Sequence, residues 1–106
     1  MNESRSKSEK IRVHIDPDLK ELIPGYLENR KQEIAVYQQA LEHGDYDSIA
    51  VLGHSMKGSG GGYGFNHLSV LGKEIEQAAK HKNDDSIRRS IAALSDYLNK
   101  IEVVYD

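Results

Sequence analysis

From residue 17 onwards, apolar positions recur every three or four residues, the spacing of helices with one buried face. Leu27, Ile34, Tyr37 and Leu41 keep a near-heptad spacing over a helix at about 24–43. Ile49, Leu52, Met56, Ser59 and Tyr63 mark a second at about 46–62, with Leu52 at the centre of its buried stripe. Leu68, Leu71, Ile75 and Ala78 or Ala79 mark a third at about 66–81. Ile87, Ile91, Leu94, Leu98 and Ile101 mark a fourth at about 84–104. The punctuation agrees with the periods. Asp16-Pro17 is a capping carboxylate followed by a proline whose missing N–H costs nothing in a first turn, and it opens a short helix at about 17–23. Pro24 interrupts that helix and can open the next. Gly44 ends it and Asp45 caps its successor. Gly64 closes the second long helix, Asn66 caps the third, and Asn83 or Asp84 caps the fourth.

Before residue 17 the pattern differs. Residues 1–10 are polar and charged and read as a flexible N-terminal tail. Ile11–Ile15 alternates apolar and polar like a short strand, but no partner strand is evident, so it reads as an extended lead-in lying on the helices. Short connections force neighbouring helices to run antiparallel. The expected fold is therefore all-α: one domain over 11–106, an up-down-up-down four-helix bundle with a short extra N-terminal helix. The 106 residues suffice for one core, and 38% hydrophobic with 29% charged residues suits a globular chain.

One stretch runs against its own helix. Residues 53–65 hold six of the nine glycines, inside a segment whose spacing is helical. A glycine in a helix costs about 0.5–1 kcal/mol relative to alanine, so several together need a packing or functional reason. At roughly 100° per residue, His54 lies on the far side from Leu52, towards solvent. Ala50, Lys57, Gly58 and Gly61 surround it at i−4, i+3, i+4 and i+7. The imidazole thus stands on a surface mostly cleared of side chains, with one lysine a turn away. Ala50, Gly58 and Gly61 are accordingly the candidate partner-docking positions. Gly72 falls on the apolar face of its helix, where it would let a neighbour approach closely, and Gly53 and Gly60 can do the same. Gly60, Gly61 and Gly62 could serve packing, docking or an early helix end, and the spacing does not separate these.

The string His54-Ser55-Met56-Lys57-Gly58-Ser59 resembles the His-x-x-Lys-Gly-Ser/Ala motif of histidine-containing phosphotransfer (HPt) domains. Tyr63-Gly64-Phe65 and Ile75-Glu76-Gln77-Ala78-Ala79 fit the pattern that follows the motif, and the resemblance covers roughly residues 15–105. It implies a phosphoprotein of two-component signal transduction: a phosphorelay intermediate taking a phosphoryl group on His54 from a receiver-domain aspartyl phosphate and passing it to another receiver, or back. The implied partners are receiver domains of response regulators, those of hybrid sensor kinases included, which would bring Mg²⁺ and most catalytic groups. Nε2 is the nitrogen the resemblance implies.

The residue chemistry is compatible. A neutral imidazole nitrogen is a good nucleophile near pH 7. Lys57 disfavours a protonated His54 by like charge and can neutralise phosphoryl oxygens on the product. No glycine-rich nucleotide-binding motif is present, so no autonomous kinase activity and no bound cofactor are expected. A formal charge of −3 argues against a general nucleic-acid binder. No apolar run approaches the ~18 residues of a membrane span, and the start lacks the apolar centre of a signal peptide. A cytoplasmic monomer is the expectation. Two other classes stay open: a module that docks a receiver or kinase without transfer, and a helical metal-binding bundle using the histidines. His14 reads as solvent-facing, His43 as favourably placed at a helix C-terminus, and Glu76 as exposed or interhelical. His67 and His81 have no partner at metal-ligand spacing on one face.

Overall fold

In a computed structural model, residues 9–106 are described. Residues 1–8 of the expected tail lie outside the described residues; Glu9 and Lys10 are exposed. The order is β1 (Ile11–Ile15), a 3-10 turn (Pro17–Leu19), α1 (Ile23–Glu42), α2 (Tyr46–Tyr63), α3 (Asn66–Lys80), α4 (Asp84–Lys100) and β2 (Ile101–Tyr105). Four helices make up most of the chain, as the periodicity predicts.

The helix ends follow their local chemistry. Asp45 accepts from Ser48 N at 3.1 Å and Ser48 Oγ at 2.7 Å, and Asn83 accepts from Ser86 N at 3.1 Å. Both satisfy amide hydrogens that a helix start leaves free. Gly64 closes α2 in the left-handed conformation, φ 94°. Two expectations are corrected here. The short helix at 17–23 is only a 3-10 turn, because Asp16 caps Asp18 N at 2.9 Å and Pro24 follows too soon for α-helix to propagate. Asn66 is not a cap: Phe65 holds the cap position, fully buried and without a side-chain hydrogen bond.

The N-terminal segment is corrected as well. β1 has a partner: it pairs in parallel with β2, Ile11 opposite Ile101 through Ile15 opposite Tyr105. The last helix therefore stops at Lys100 and not near 104; Ile101 is already extended, φ −70° and ψ 142°. Ile101-Glu102-Val103-Val104-Tyr105 is rich in β-branched and aromatic residues that suit a half-buried strand. Ile15 is 1% exposed, and Val13, Ile101, Val103 and Tyr105 pack against the core. Outside, Arg12 Nε lies 3.6 Å from Glu102 Oε1, and His14 Nδ1 lies 2.8 Å from Asp106 Oδ2.

The core joins Tyr37, Ile49, Met56, Phe65, Leu68, Ile75, Ile87 and Leu94, all at most 1% exposed, to the ribbon through Ile15. Tyr26 links α1 to α2 by a 2.8 Å hydrogen bond to Ser59, and Tyr46 links α2 to α4 by donating to Asp84 at 2.6 Å.

The contact that positions the site is between α2 and α3. A Cβ on Gly72 would lie 2.5 Å from Lys57 N and 2.6 Å from Gly53 O. One on Gly53 would lie 2.9 Å from Glu76 N, and one on Gly60 2.8 Å from Ser69 N. Side chains are excluded at all three positions, the close approach read for Gly72 and Gly53 and one of the roles left open for Gly60, so the two backbones meet almost directly. The contacts step backwards along α3 as they step forwards along α2, so these two helices run in opposite directions. Ser69 Oγ donates to Lys57 O at 2.8 Å across the same seam.

Candidate functional site

The glycine seam moves the buried stripe of α2. Its buried residues are Ile49, Gly53, Met56 and Gly60, while Leu52 is only partly buried. Leu52 is thus not the centre of the stripe. Hydropathy misplaced it because glycines carry no apolar side chain to count, yet here they make the closest contact. His54 is correspondingly not diametrically opposite the core. Its side chain is 67% exposed, but it stands on the flank of α2 beside α3.

That flank carries a group that sequence reasoning left without a role. Glu76, on α3, is 6% exposed, the one buried charged side chain among the described residues. Its Oε2 accepts a hydrogen bond from His54 Nδ1 at 3.1 Å. Lys80 Nζ lies 3.2 Å from the same oxygen, and Lys57 Nζ lies 3.5 Å from Oε1, which accepts no hydrogen bond. Burial pushes the Glu76 carboxyl up. Lys80, His54 and Lys57 together outweigh that and hold it below its ordinary value. It is therefore a carboxylate near neutral pH. A signal for it was present: one acid on the otherwise apolar face of Leu68, Leu71, Gly72, Ile75 and Ala79, four residues after the glycine that admits α2.

The geometry dictates the state of the imidazole. A carboxylate only accepts, so Nδ1 of neutral His54 must carry the proton. The lone pair then lies on Nε2, at the far side of an exposed ring. Lys57 was expected to act on His54 as a neighbouring like charge; a carboxylate stands between the two and draws both.

The docking candidates differ among themselves. A Cβ on Gly58 would meet nothing within 4 Å, and one on Gly61 only Ser69 Oγ at 3.9 Å. Gly62 is equally open. Ala50 is partly buried and packs against the core, so it contributes less free surface than the wheel implied. Val51, three residues before His54 and 68% exposed, is an apolar surface residue that the wheel did not single out. The other histidines lie elsewhere. His43 and His81 each donate from Nδ1 to the carbonyl four residues back, at 2.8 Å, and His67 packs on Tyr97. No helix among the described residues is long and apolar enough to cross a membrane.

No curated protein and no solved structure gives a significant match to the chain. Against models of protein families, residues 21–103 match the Hpt domain. The matched span contains all four helices, the glycine seam and His54, and begins after β1. The chain belongs to the Hpt domain family, the histidine phosphotransfer modules of two-component phosphorelays.

Proposed function

We propose that this chain, one domain over residues 11–106 in an up-down-up-down bundle, is a phosphorelay intermediate with His54 as its phosphoacceptor. The observation that carries the reading is the pairing of an exposed imidazole with a buried carboxylate, Nδ1 to Glu76 Oε2 at 3.1 Å. The Nε2 lone pair attacks the phosphorus of an aspartyl phosphate on a receiver. The N–P bond forms as the P–O bond to the aspartyl carboxyl breaks, and that carboxylate leaves with the electron pair. The ring gains positive charge in this step, and the Glu76 carboxylate, accepting from Nδ1–H, stabilises it where it develops. The reverse step passes the group to another receiver, or back.

Lys57 neutralises phosphoryl oxygens once they sit on Nε2. Ala50, Gly58 and Gly61 form the surface on which the receiver comes down, Gly58 being the most open. The receiver supplies Mg²⁺ and the remaining catalytic groups. The chain acts as a reactant in transfer, without kinase activity of its own, as a cytoplasmic monomer.

The test is incubation with phosphorylated receivers of the source organism. His54 alone takes up label, in the acid-labile, alkali-stable form of a phosphoramidate, and His54→Gln stays folded and takes up none. Label persisting in that variant on His14, His43, His67 or His81 overturns the site. Receiver binding with no label at all would make this a docking module instead.

A further inference from the structure

Glu76 is met by two lysines where neutralising one carboxylate needs a single cation. From α2 it faces His54 and Lys57; from its own helix, one turn on, it faces Lys80. The two lysines are not equivalent. Lys80 Nζ is within hydrogen-bond distance, 3.2 Å, of the oxygen that also accepts from His54 Nδ1. Lys57 Nζ stands 3.5 Å from the other oxygen, which takes no hydrogen bond. Lys57 is held by charge; Lys80 shares the acceptor of the imidazole.

We propose that Lys80 is a positioning residue: it is the standing countercharge of Glu76, and it leaves Lys57 free to turn to the phosphoryl group on His54. The consequence for transfer rests on the phosphotransfer reading above; the arrangement of charges does not. A phosphoryl group on Nε2 competes with Glu76 for Lys57. With Lys57 as the only lysine, that turn would strip a buried carboxylate of its countercharge, and burial would then favour its protonation. A protonated Glu76 no longer serves as a carboxylate acceptor for Nδ1–H, so the positive charge of the phosphorylated ring loses its stabilising partner, and in the free ring the proton is no longer fixed on Nδ1. Lys80 prevents this because it is anchored to the same helix as Glu76, one turn away, and its position does not depend on what happens on α2.

The experiment compares the full chain with Lys80→Met and Lys80→Arg. In the isolated proteins, NMR of the His54 ring nitrogens and the Glu76 carboxyl carbon is followed from neutral pH down through the carboxylate range. In Lys80→Met the Glu76 carboxyl titrates at higher pH than in the wild type and the Nδ1–H tautomer loses population; Lys80→Arg restores both. In transfer from a phosphorylated receiver, the acid side of the pH–rate profile moves to higher pH in Lys80→Met. The rate near neutrality falls about two- to fivefold, the scale of one partly exposed ion pair, with KM for the receiver unchanged. Ring tautomer and carboxyl titration identical to wild type overturn the proposal. So does a Lys80→Met variant whose only defect is a salt-sensitive rise in KM, which makes Lys80 a docking cation. A wild-type protein that accepts no phosphoryl group refutes the phosphotransfer reading, and the NMR comparison still decides the role of Lys80.

Discussion

Nδ1 of His54 and Oε2 of Glu76 are 3.1 Å apart, joining an exposed imidazole on α2 to a buried carboxylate on α3. The contact orients the ring, assigns the proton to Nδ1 and leaves the lone pair of the neutral ring on Nε2. It exists because Gly53 and Gly72 let the two helix backbones close to a distance no side chain would permit.

The same contact makes stability depend on acid. The folded Glu76 carboxyl is held below its ordinary value by Lys80, His54 and Lys57, against the upward push of burial. A carboxylate with a lower pKa folded than unfolded stabilises the fold above the unfolded value, and that stability is lost as pH falls through the folded one. Wild type should therefore lose stability below the ordinary glutamate range, and Glu76→Gln should be less stable at neutral pH with the gap closing in acid. Urea unfolding at several pH values checks this; parallel curves would show that Glu76 is not the titrating group.

Lys57 should matter more to transfer than to folding. It is held at 3.5 Å and partly exposed, and such pairs contribute about 0–1 kcal/mol. Lys57→Ala should shift the melting temperature little, while slowing transfer or shortening the life of the phosphohistidine. Equal rates and lifetimes in the two proteins would make the lysine a bystander.

Two glycines, Gly58 facing open space on α2 and Gly72 in the α2–α3 seam, should respond with opposite signs. Gly58 faces open space, so Gly58→Ala should stabilise α2 by about 0.5–1 kcal/mol. Gly58→Gln should stay folded yet bind receiver less tightly and transfer more slowly, by filling the space beside His54. A methyl on Gly72 would sit 2.5 Å from Lys57 N, so Gly72→Ala must push α2 and α3 apart, at a cost of typically 1–3 kcal/mol. Thermal melts decide; a destabilised Gly58→Ala would undo the cleared-surface account of His54.

The ribbon should be integral to the fold. Ile15 is 1% exposed, and its Cδ1 reaches within 3.2 Å of where a Gly64 Cβ would be. Ile15→Ala should cost about 2–5 kcal/mol, with the phosphotransfer rate of the folded fraction unchanged. Denaturant unfolding beside a transfer assay measures both, and a loss well under 1 kcal/mol would mean that β1 only rests on the bundle.

What the sequence determined by itself was local. Helical periods, the caps Asp45 and Asn83, the Gly64 stop and the His54–Lys57–Gly58 motif all depend on residues within a turn or two of one another. So does the outward direction of Gly58 on a regular helix. Tertiary structure alone decided the rest, and each case turns on residues distant in sequence. β1 needs β2, some ninety positions away; Ile101 satisfies a helical and a two-residue period equally, and only a strand lying beside it selects the second. The centre of the α2 stripe was hidden because Gly53 and Gly60 bury backbone, which hydropathy does not register. Glu76 was hidden because a lone acid reads as exposed unless its partners are known, and two of its three, the hydrogen-bond donor His54 and the cation Lys57, arrive on another helix. A buried charge is stable only in company, and here folding brings most of that company from across the α2–α3 seam.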